Sequence, residues 1–271
     1  MTHPKRNLQT WKLRFILPHL PLRYVEYHRR RSGRAAVSHK VLIFAQGRTG
    51  STALQSCFPA DSTLYMREPL GPLRKPWNAD WLPNNPADFL TKWALRAAGR
   101  KTAVVAHVKP EHLRGHQHVV VPFLQEMVRQ GWQVVHLERQ DSFNQGISFL
   151  RARELRVFNT EDADVAEATA RRDVFLAPEA VRAAIWRNEV LNHFNRELLT
   201  ASGIPFIRTT YEALLGPEPV AEPERKRLAT ALSLPFALQP PTTKKVGPSS
   251  PGWEEVRQWY EKHVAPFKPT D

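Results

Sequence analysis

Short apolar runs alternate with amphipathic stretches along the chain, and this order predicts an α/β fold. Four runs are predicted to be strands: residues 41–45, 103–108, 133–137 and 205–209. The first of them is a short apolar run of the kind that forms a strand buried on both faces. Stretches with helical character lie between and after them: residues 53–58, 119–129, 142–155, 178–203, 222–232 and 251–263. This alternation predicts one parallel sheet flanked by helices, in a single domain over residues 40–271.

A long loop is predicted after the first strand and helix. Residues 70–89 are rich in Pro, Trp and Asn, a composition typical of irregular structure. Two tryptophans in this stretch, Trp77 and Trp81, are candidates for stacking on a ligand. Burial in the core is the alternative for both side chains.

The positive charge is concentrated at the N-terminus. The 271 residues have a net charge of +13, and residues 1–40 contain ten Lys or Arg against one acidic residue, a net +9. We therefore predict a basic arm over residues 1–39 rather than a basic core, and no nucleic-acid partner. Two alternatives remain for the arm: peripheral contact with anionic lipid, or packing of Trp11, Phe15 and Tyr24 onto the core.

Cysteine content and hydropathy bear on the compartment. The one cysteine, Cys57, excludes an intrachain disulfide and a cysteine-rich metal site. No apolar run reaches the roughly 18 residues that a membrane span needs, and the N-terminus lacks the continuous apolar segment of a signal peptide. We expect a cytoplasmic protein that contacts membranes, if at all, through its arm. A Golgi enzyme without its anchor is the weaker alternative, because lumenal domains usually carry paired cysteines.

The first predicted strand leads through a glycine-containing turn into a helix. Such a turn brings backbone N–H groups and the positive end of the helix to one point, which makes an anion site. Glycine allows close approach, Ser51 and Thr52 can cap the helix and donate hydroxyls, and Arg48 adds a forked cation. A Walker A loop would have Lys after its second glycine, where this chain has Ser51, so we predict a P-loop-like turn without that lysine. The candidate anion-binding residues are Gly47, Arg48, Thr49, Gly50, Ser51 and Thr52.

Three segments resemble the sulfotransferases that use 3′-phosphoadenosine-5′-phosphosulfate (PAPS). FAQGRTGSTALQSCF (44–58) resembles their 5′-phosphosulfate loop, and QVVHLERQDSFNQGISFLRAR (133–153) resembles their 3′-phosphate site. STLYMREPLGPL (62–73) is similar to a segment of the carbohydrate-type and bacterial nodulation-type enzymes. The resemblance covers residues 40–153 and, more loosely, 204–263. It implies PAPS as the sulfonate donor, no metal, and a hydroxyl of a glycan or glycolipid as the acceptor.

The resemblance also implies roles for individual residues. Arg48 corresponds to the cation that stabilises the leaving phosphate, while Arg139 and Ser148 correspond to the ligands of the 3′-phosphate. Arg139 follows a predicted strand, at the edge where α/β sheets bind ligands, and a guanidinium can hold a phosphate with two donors. An ion pair with Glu138 or Asp141 is the alternative for Arg139.

Two segments near the C-terminus resemble the family more loosely. TTKKVGPSSPGWEEV (242–256) is similar to the basic segment that closes over the donor nucleotide, which makes Lys244 and Lys245 candidate phosphate ligands. A solvated basic loop is the alternative. RTTYEALL (208–215) also resembles a family segment, in which we expect Tyr211 and Glu212 to serve packing.

Two residues compete for the role of base, which must take the acceptor's proton. Glu68 lies in REP, at the distance from the loop where carbohydrate-type enzymes have their catalytic Glu, and is preferred. His107 lies in AHVKPEHL, which resembles the segment with the catalytic His of the cytosolic type, and His titrates nearer to neutral pH. However, His107 lies farther upstream of Arg139 than in that type. Lys109 is a candidate second cation near the sulfonate. No metal spacing links the nearby His112, His116 and His118.

The sequence thus predicts sulfonate transfer from PAPS by in-line displacement. A P-loop phosphotransferase that uses ATP is a second hypothesis, weakened by the missing lysine. A non-enzymatic basic protein that binds nucleotides or membranes is a third hypothesis.

Overall fold

The computed structural model describes residues 37–71, 85–113, 120–155, 176–242 and 253–263. Within these residues there are five strands: β1 His39–Phe44, β2 Thr63–Met66, β3 Ala103–Val108, β4 Trp132–Glu138 and β5 Phe206–Thr210. The helices are α1 Ser51–Ser56, α2 Pro86–Ala97, α3 Val120–Arg129, α4 Ser142–Leu155, α5 Pro178–Ala201, α6 Tyr211–Leu215, α7 Ala221–Ala231 and α8 Trp253–His263. A short 3-10 helix covers Pro110–His112.

All five strands belong to one parallel sheet in the order β2-β3-β1-β4-β5. The central strand β1 pairs with β3 on one side and β4 on the other, and Val41 lies level with Val105 and Gln133. The last four residues of β1 are fully buried, as expected for a strand covered by helices on both faces. This architecture confirms the predicted α/β domain with a parallel sheet flanked by helices.

Alternate side chains of the sheet enter two separate cores. Leu42 and Phe44 of β1 pack with buried residues of α2, α3 and the end of α5. Val41 and Ile43 point to the opposite face and pack with α1, α6 and α7. A smaller cluster joins α4, α5 and α8. The sheet is thus clamped from both faces, which fixes the strand ends on which the candidate site depends.

The predicted loop over residues 70–89 is wrong at its C-terminal end, where α2 begins at Pro86. Asn85 is the N-cap, and its side-chain oxygen accepts a hydrogen bond of 2.9 Å from the backbone N–H of Asp88. Asn followed by Pro, which we interpreted as loop composition, is here a helix start. Residues 72–84 of the predicted loop, with Trp77 and Trp81, lie outside the described residues.

The predicted basic arm precedes the first strand of the sheet. β1 begins at His39, one residue before the predicted domain boundary, and residues 1–36 lie outside the described residues. In the part of the chain that the structure describes, no helix combines the length and the apolar character needed to cross a bilayer.

Candidate functional site

The candidate site lies at the carboxyl ends of the neighbouring strands β1 and β4. After β1 the chain moves toward β2 and β3, whereas after β4 it moves the other way, toward β5. In open α/β sheets such a reversal leaves a crevice outside the carboxyl ends of the strands, where ligands bind. The loop after β1 and Arg139 after β4 flank this crevice, and the ends of β2 and β3 adjoin it.

The loop after β1 contains two residues in the left-handed region. Arg48 has φ 65° and Gly50 has φ 86°, and Gly50 is the N-cap of α1 without a side-chain hydrogen bond. The prediction that Ser51 or Thr52 caps the helix is therefore wrong, because the helix already begins at Ser51. A backbone cap at this φ favours glycine. Thr49 is fully buried, and its hydroxyl donates to the carbonyl of Gln46 at 2.9 Å, which closes the turn.

Side chains from α4 and α5 hold the loop in position. Gln145 donates from Nε2 to the carbonyl of Gly47 at 3.0 Å. Gln46 donates from Nε2 to the carbonyl of Asn188 at 3.0 Å and also to the side-chain oxygen of Asn192. Both asparagines are buried on the inner face of α5, where apolar residues would be expected. Their spacing of four residues, which places them on one helix face, is the sequence signal that predicts this contact.

Arg48 turns toward α4 and meets Ser148. Its Nε donates a hydrogen bond of 2.9 Å to the Oγ of Ser148. Arg139 approaches the same loop from the end of β4, with Nη1 3.5 Å from the carbonyl oxygen of Arg48. The structure thus brings Arg48, Arg139 and Ser148 together, although Ser148 contacts Arg48 rather than Arg139 among the described hydrogen bonds.

Two guanidinium groups at one loop oppose each other electrostatically. Burial lowers the pKa of Arg48, the charge of Arg139 lowers it further, and the carboxylate of Glu68 partly offsets both. The Nε of Arg139 is buried and has no hydrogen-bond partner among the described residues. A buried donor without a partner is costly, so the geometry suits an anion that both cations can share.

Arg139 does not form the alternative ion pairs. Glu138 points away from it, with Oε2 3.0 Å from Nη2 of Arg208 and Oε1 3.4 Å from Nε of Arg196. Asp141 accepts the backbone N–H of Asn144 at 2.9 Å. Within the described chain, neither carboxylate neutralises Arg139.

Arg139 instead lies over an aromatic ring. Its guanidinium carbon is 4.5 Å from the ring centroid of Tyr211, a cation–π arrangement. The ring of Tyr211 also packs against the backbone of Gly50, so closely that a Cβ added at Gly50 would clash with it. Tyr211 therefore packs between the loop and Arg139. Glu212 accepts the backbone N–H groups of Gln140 and Asp141 at 3.0 Å each, which anchors the end of β4.

Glu68, which follows β2, lies at the centre of a second cluster of polar side chains. Its Oε1 lies 2.7 Å from Nζ of Lys109 and 4.0 Å from Nδ1 of His107, while its Oε2 lies 3.6 Å from Nε2 of His112. Glu68 has φ 46°, so two of the three described non-glycine residues with positive φ, Arg48 and Glu68, lie at this edge. Strained backbone of this kind concentrates at functional sites.

The tautomers of the two histidines follow from their neighbours. Nε2 of His107 lies 3.3 Å from the carbonyl of Ala45, which can only accept, so Nε2 carries the hydrogen. Its burial, aided by the charge of Lys109, lowers the pKa of His107 to about 3. His112 accepts the backbone N–H of Lys109 at Nδ1, at 3.4 Å, so its Nε2–H faces Glu68. His107 is therefore a neutral, enclosed side chain at physiological pH.

A carboxylate at the loop was missed by the sequence analysis. Glu111 accepts the backbone N–H of Gly47 at Oε1, at 3.3 Å, and its Oε2 is buried without a hydrogen-bond partner among the described residues. Nothing in the spacing of AHVKPEHL distinguishes this glutamate. The candidate residues Lys244 and Lys245, together with His116 and His118, lie outside the described residues.

Comparison with models of known protein families finds no match for this chain, and a search of curated proteins finds none either.

Proposed function

We propose that this chain is a sulfotransferase that moves a sulfonate from PAPS to a hydroxyl. The observation that carries the proposal is the position of two arginines, Arg48 and Arg139, at one loop between β1 and α1. The Glu68–Lys109 pair adjoins this loop at the same edge of the sheet. Cations for a donor and a carboxylate for an acceptor thus occur side by side, as sulfonyl transfer requires.

The loop supports a phosphosulfate group better than a nucleoside triphosphate. The turn between a buried strand and a helix is P-loop-like, but Ser51 occupies the position of the lysine that binds the β- and γ-phosphates in that class. The charge of Arg48 is opposed by that of Arg139, and an anion that touches both would remove this repulsion. Phosphosulfate and the 3′-phosphate of the same donor would supply such charge.

Arg48, Lys109 and Glu68 each have a separate role in the proposed sulfonate transfer. The acceptor oxygen attacks sulfur, the bond from sulfur to the bridging phosphate oxygen breaks, and its electron pair stays on the phosphate. Arg48 stabilises that growing charge, and Lys109, which pairs with Glu68 at 2.7 Å, is the second cation for the sulfonate oxygens in this proposal. Glu68 takes the acceptor's proton.

Glu68 is a better base than His107 for geometric reasons. The side chain of Glu68 is 20% exposed, whereas that of His107 is 2% exposed and donates to the carbonyl of Ala45. The remaining lone pair of His107 faces Glu68, and its pKa of about 3 makes it a weak base. The Nε2–H of His112, 3.6 Å from Oε2 of Glu68, is the imidazole N–H that is placed to orient the carboxylate.

Binding and turnover test the proposal separately. The desulfonated product PAP should raise the melting temperature of the protein. At a hundredfold excess over Kd, bound PAP should increase the free energy of unfolding by about 2.7 kcal/mol. Labelled PAPS incubated with a cell extract should give a labelled product, and we expect a glycan or glycolipid from the resemblance. Stabilisation by ATP–Mg²⁺ but not by PAP would favour a phosphotransferase. No response to either nucleotide would favour a non-enzymatic role.

A further inference from the structure

The outer face of α5 exposes a row of large apolar side chains. Trp186 is 68% exposed, Val190 42% and Phe194 56%. Residues four apart lie on one face of a helix, so the three side chains form a continuous stripe, which we call the α5 stripe. It contains half of the exposed large hydrophobic residues in the described chain, and the others, Phe89, Leu95 and Val220, lie on or beside other helices.

The opposite face of α5 is already occupied. Its buried residues include Val181 and Ile185, which pack with α4, and Leu199, which belongs to the core under the sheet. The α5 stripe therefore lies on a different face of the helix from the residues that pack into the core. A contiguous exposed apolar patch of this kind is often an interaction site.

We infer that the α5 stripe is the docking site for the chain's own N-terminal arm, residues 1–36. The arm supplies the matching chemistry, since its large apolar residues include Trp11, Phe15, Ile16, Leu17, Leu20, Leu22 and Tyr24. Its positive charge, nine Lys or Arg against one Glu, meets Glu179 and Glu197, which are exposed near the two ends of α5, although Arg182 is exposed there as well.

The point where the arm leaves the domain makes this docking reachable. β1 starts at the amino edge of the sheet, and α5 ends at that same edge, where the chain continues into β5. Only β4 separates β1 from β5, so the two strands lie about 10 Å apart. The 13 residues from Tyr24 to Val37 can span about 43 Å, whereas the helix from Ala201 back to Trp186 covers about 22 Å.

The size of the stripe favours a tethered segment over a second copy of the chain. A fully buried aromatic side chain covers about 150–250 Å², so the exposed parts of Trp186, Phe194 and Val190 add up to a few hundred Å². A stable interface between separate proteins needs about 800 Å² from each partner. A segment of the same chain needs less, because its effective concentration is in the millimolar range.

Paired cysteines in the full-length protein test the docking directly. The native Cys57 is buried, and burial raises its pKa to about 12, which disfavours the reactive thiolate; Cys57 is also present in both variants that are compared. Thr10→Cys marks the arm beside Trp11, and Ala183→Cys marks α5 beside the stripe without removing any of its residues. Ala231→Cys, exposed on α7 at the opposite face of the sheet, replaces Ala183→Cys in the matched control.

We expect a short bismaleimide to link Thr10→Cys to Ala183→Cys within one chain, with a yield about ten-fold above that of the Ala231→Cys control. Adding Trp186→Glu should remove most of this difference, while an unchanged melting curve shows that the domain stays folded. Equal yields at α5 and α7 would overturn the inference. Links between two chains at Ala183→Cys would assign the stripe to a second copy. Loss of the link only when anionic vesicles are present would still support docking in solution.

Discussion

Nε of Arg48 donates a 2.9 Å hydrogen bond to Oγ of Ser148, and this bond connects the loop after β1 to the helix after β4. The guanidinium is thereby held against α4, and the backbone of Arg48 has φ 65°, a conformation that an arginine rarely adopts. A cation that is fixed before any ligand arrives costs no reorganisation during reaction. Arg48 is for this reason the residue on which catalysis should depend most.

Arg48→Ala should nearly abolish turnover while the protein stays folded. A preorganised donor that meets charge in the transition state contributes about 10²–10³ in kcat, and KM for PAPS should change less. Transfer of label from PAPS into an extract measures the effect. Lys92→Ala, which removes an exposed cation of α2, is the matched control. An Arg48→Ala enzyme with at least about half of the wild-type kcat would exclude this role for Arg48.

Arg139→Ala should mainly weaken nucleotide binding. A lost charge-assisted phosphate contact costs about 1.5–3 kcal/mol, which corresponds to about ten- to over a hundred-fold in Kd for PAP. Titration calorimetry with PAP measures this change. Arg208→Ala is the control, since Arg208 pairs with Glu138 on the other face of the sheet. Unchanged PAP affinity in Arg139→Ala would remove Arg139 from the site.

Substitution of the two candidate bases should give different results. Glu68→Gln keeps the shape of the side chain but cannot take a proton, so kcat should fall by about 10²–10⁴ with PAP affinity nearly unchanged. His107→Gln retains a donor to the carbonyl of Ala45 and should lower kcat by less than about ten-fold. If His107→Gln is the more damaging of the two in a protein with a normal melting curve, the assignment must be reversed.

Gly50→Ala should destabilise the protein much more than Gly99→Ala. Both glycines have positive φ, 86° and 60°, so both substitutions carry the cost of that backbone conformation. Only at Gly50 does the new Cβ meet the ring of Tyr211, whereas nothing lies within 4 Å at Gly99. Urea unfolding should show a difference of at least about 2 kcal/mol between the two variants. Equal losses of unfolding free energy in the two variants would mean that the ring of Tyr211 moves aside without an energetic cost.

His107 should make the protein less stable in mild acid. Its folded pKa of about 3 lies below the unfolded value of about 6.5, so the unfolded chain binds more protons between these limits. The contribution is complete above pH 6.5 and is lost as the pH falls below that value, at up to about 1.4 kcal/mol per pH unit. His107→Gln should reduce the pH dependence of unfolding between pH 6.5 and 4.5, and His193→Gln, at an exposed position of α5, should not.

Local pattern was sufficient for most of the sheet. β3 and α4 have the predicted limits, and β1, β4 and β5 differ from the predictions by one or two residues at each end. The apolar runs of β1, β3 and β4 are buried and long enough to stand out from the sequence. β2 was missed as a strand since it has four residues and lies at the edge of the sheet. α2 was partly missed because Asn85 and Pro86 occur equally in loops and at helix starts.

The site was predictable only where residue chemistry is distinctive. An arginine in a glycine turn, or a lysine near a glutamate, stands out from the sequence alone. Gln145, Asn192 and Glu111 do not, because a polar residue that holds a loop looks like any surface residue until the fold brings it there. The contact of Tyr211 with Gly50 likewise depends on β5 lying two strands away from β1.

The loop after β1 owes its shape to residues that are translated long after it. Gln145 follows Gly47 by 98 positions, and Asn192 follows Gln46 by 146. During synthesis the N-terminal elements emerge first, so a chain released before α5 carries every residue of the loop but lacks Asn188 and Asn192, the partners that hold Gln46. Truncated products should therefore be incapable of binding nucleotide. Competence for the proposed reaction would therefore arise in one late step, once α5 has been synthesised.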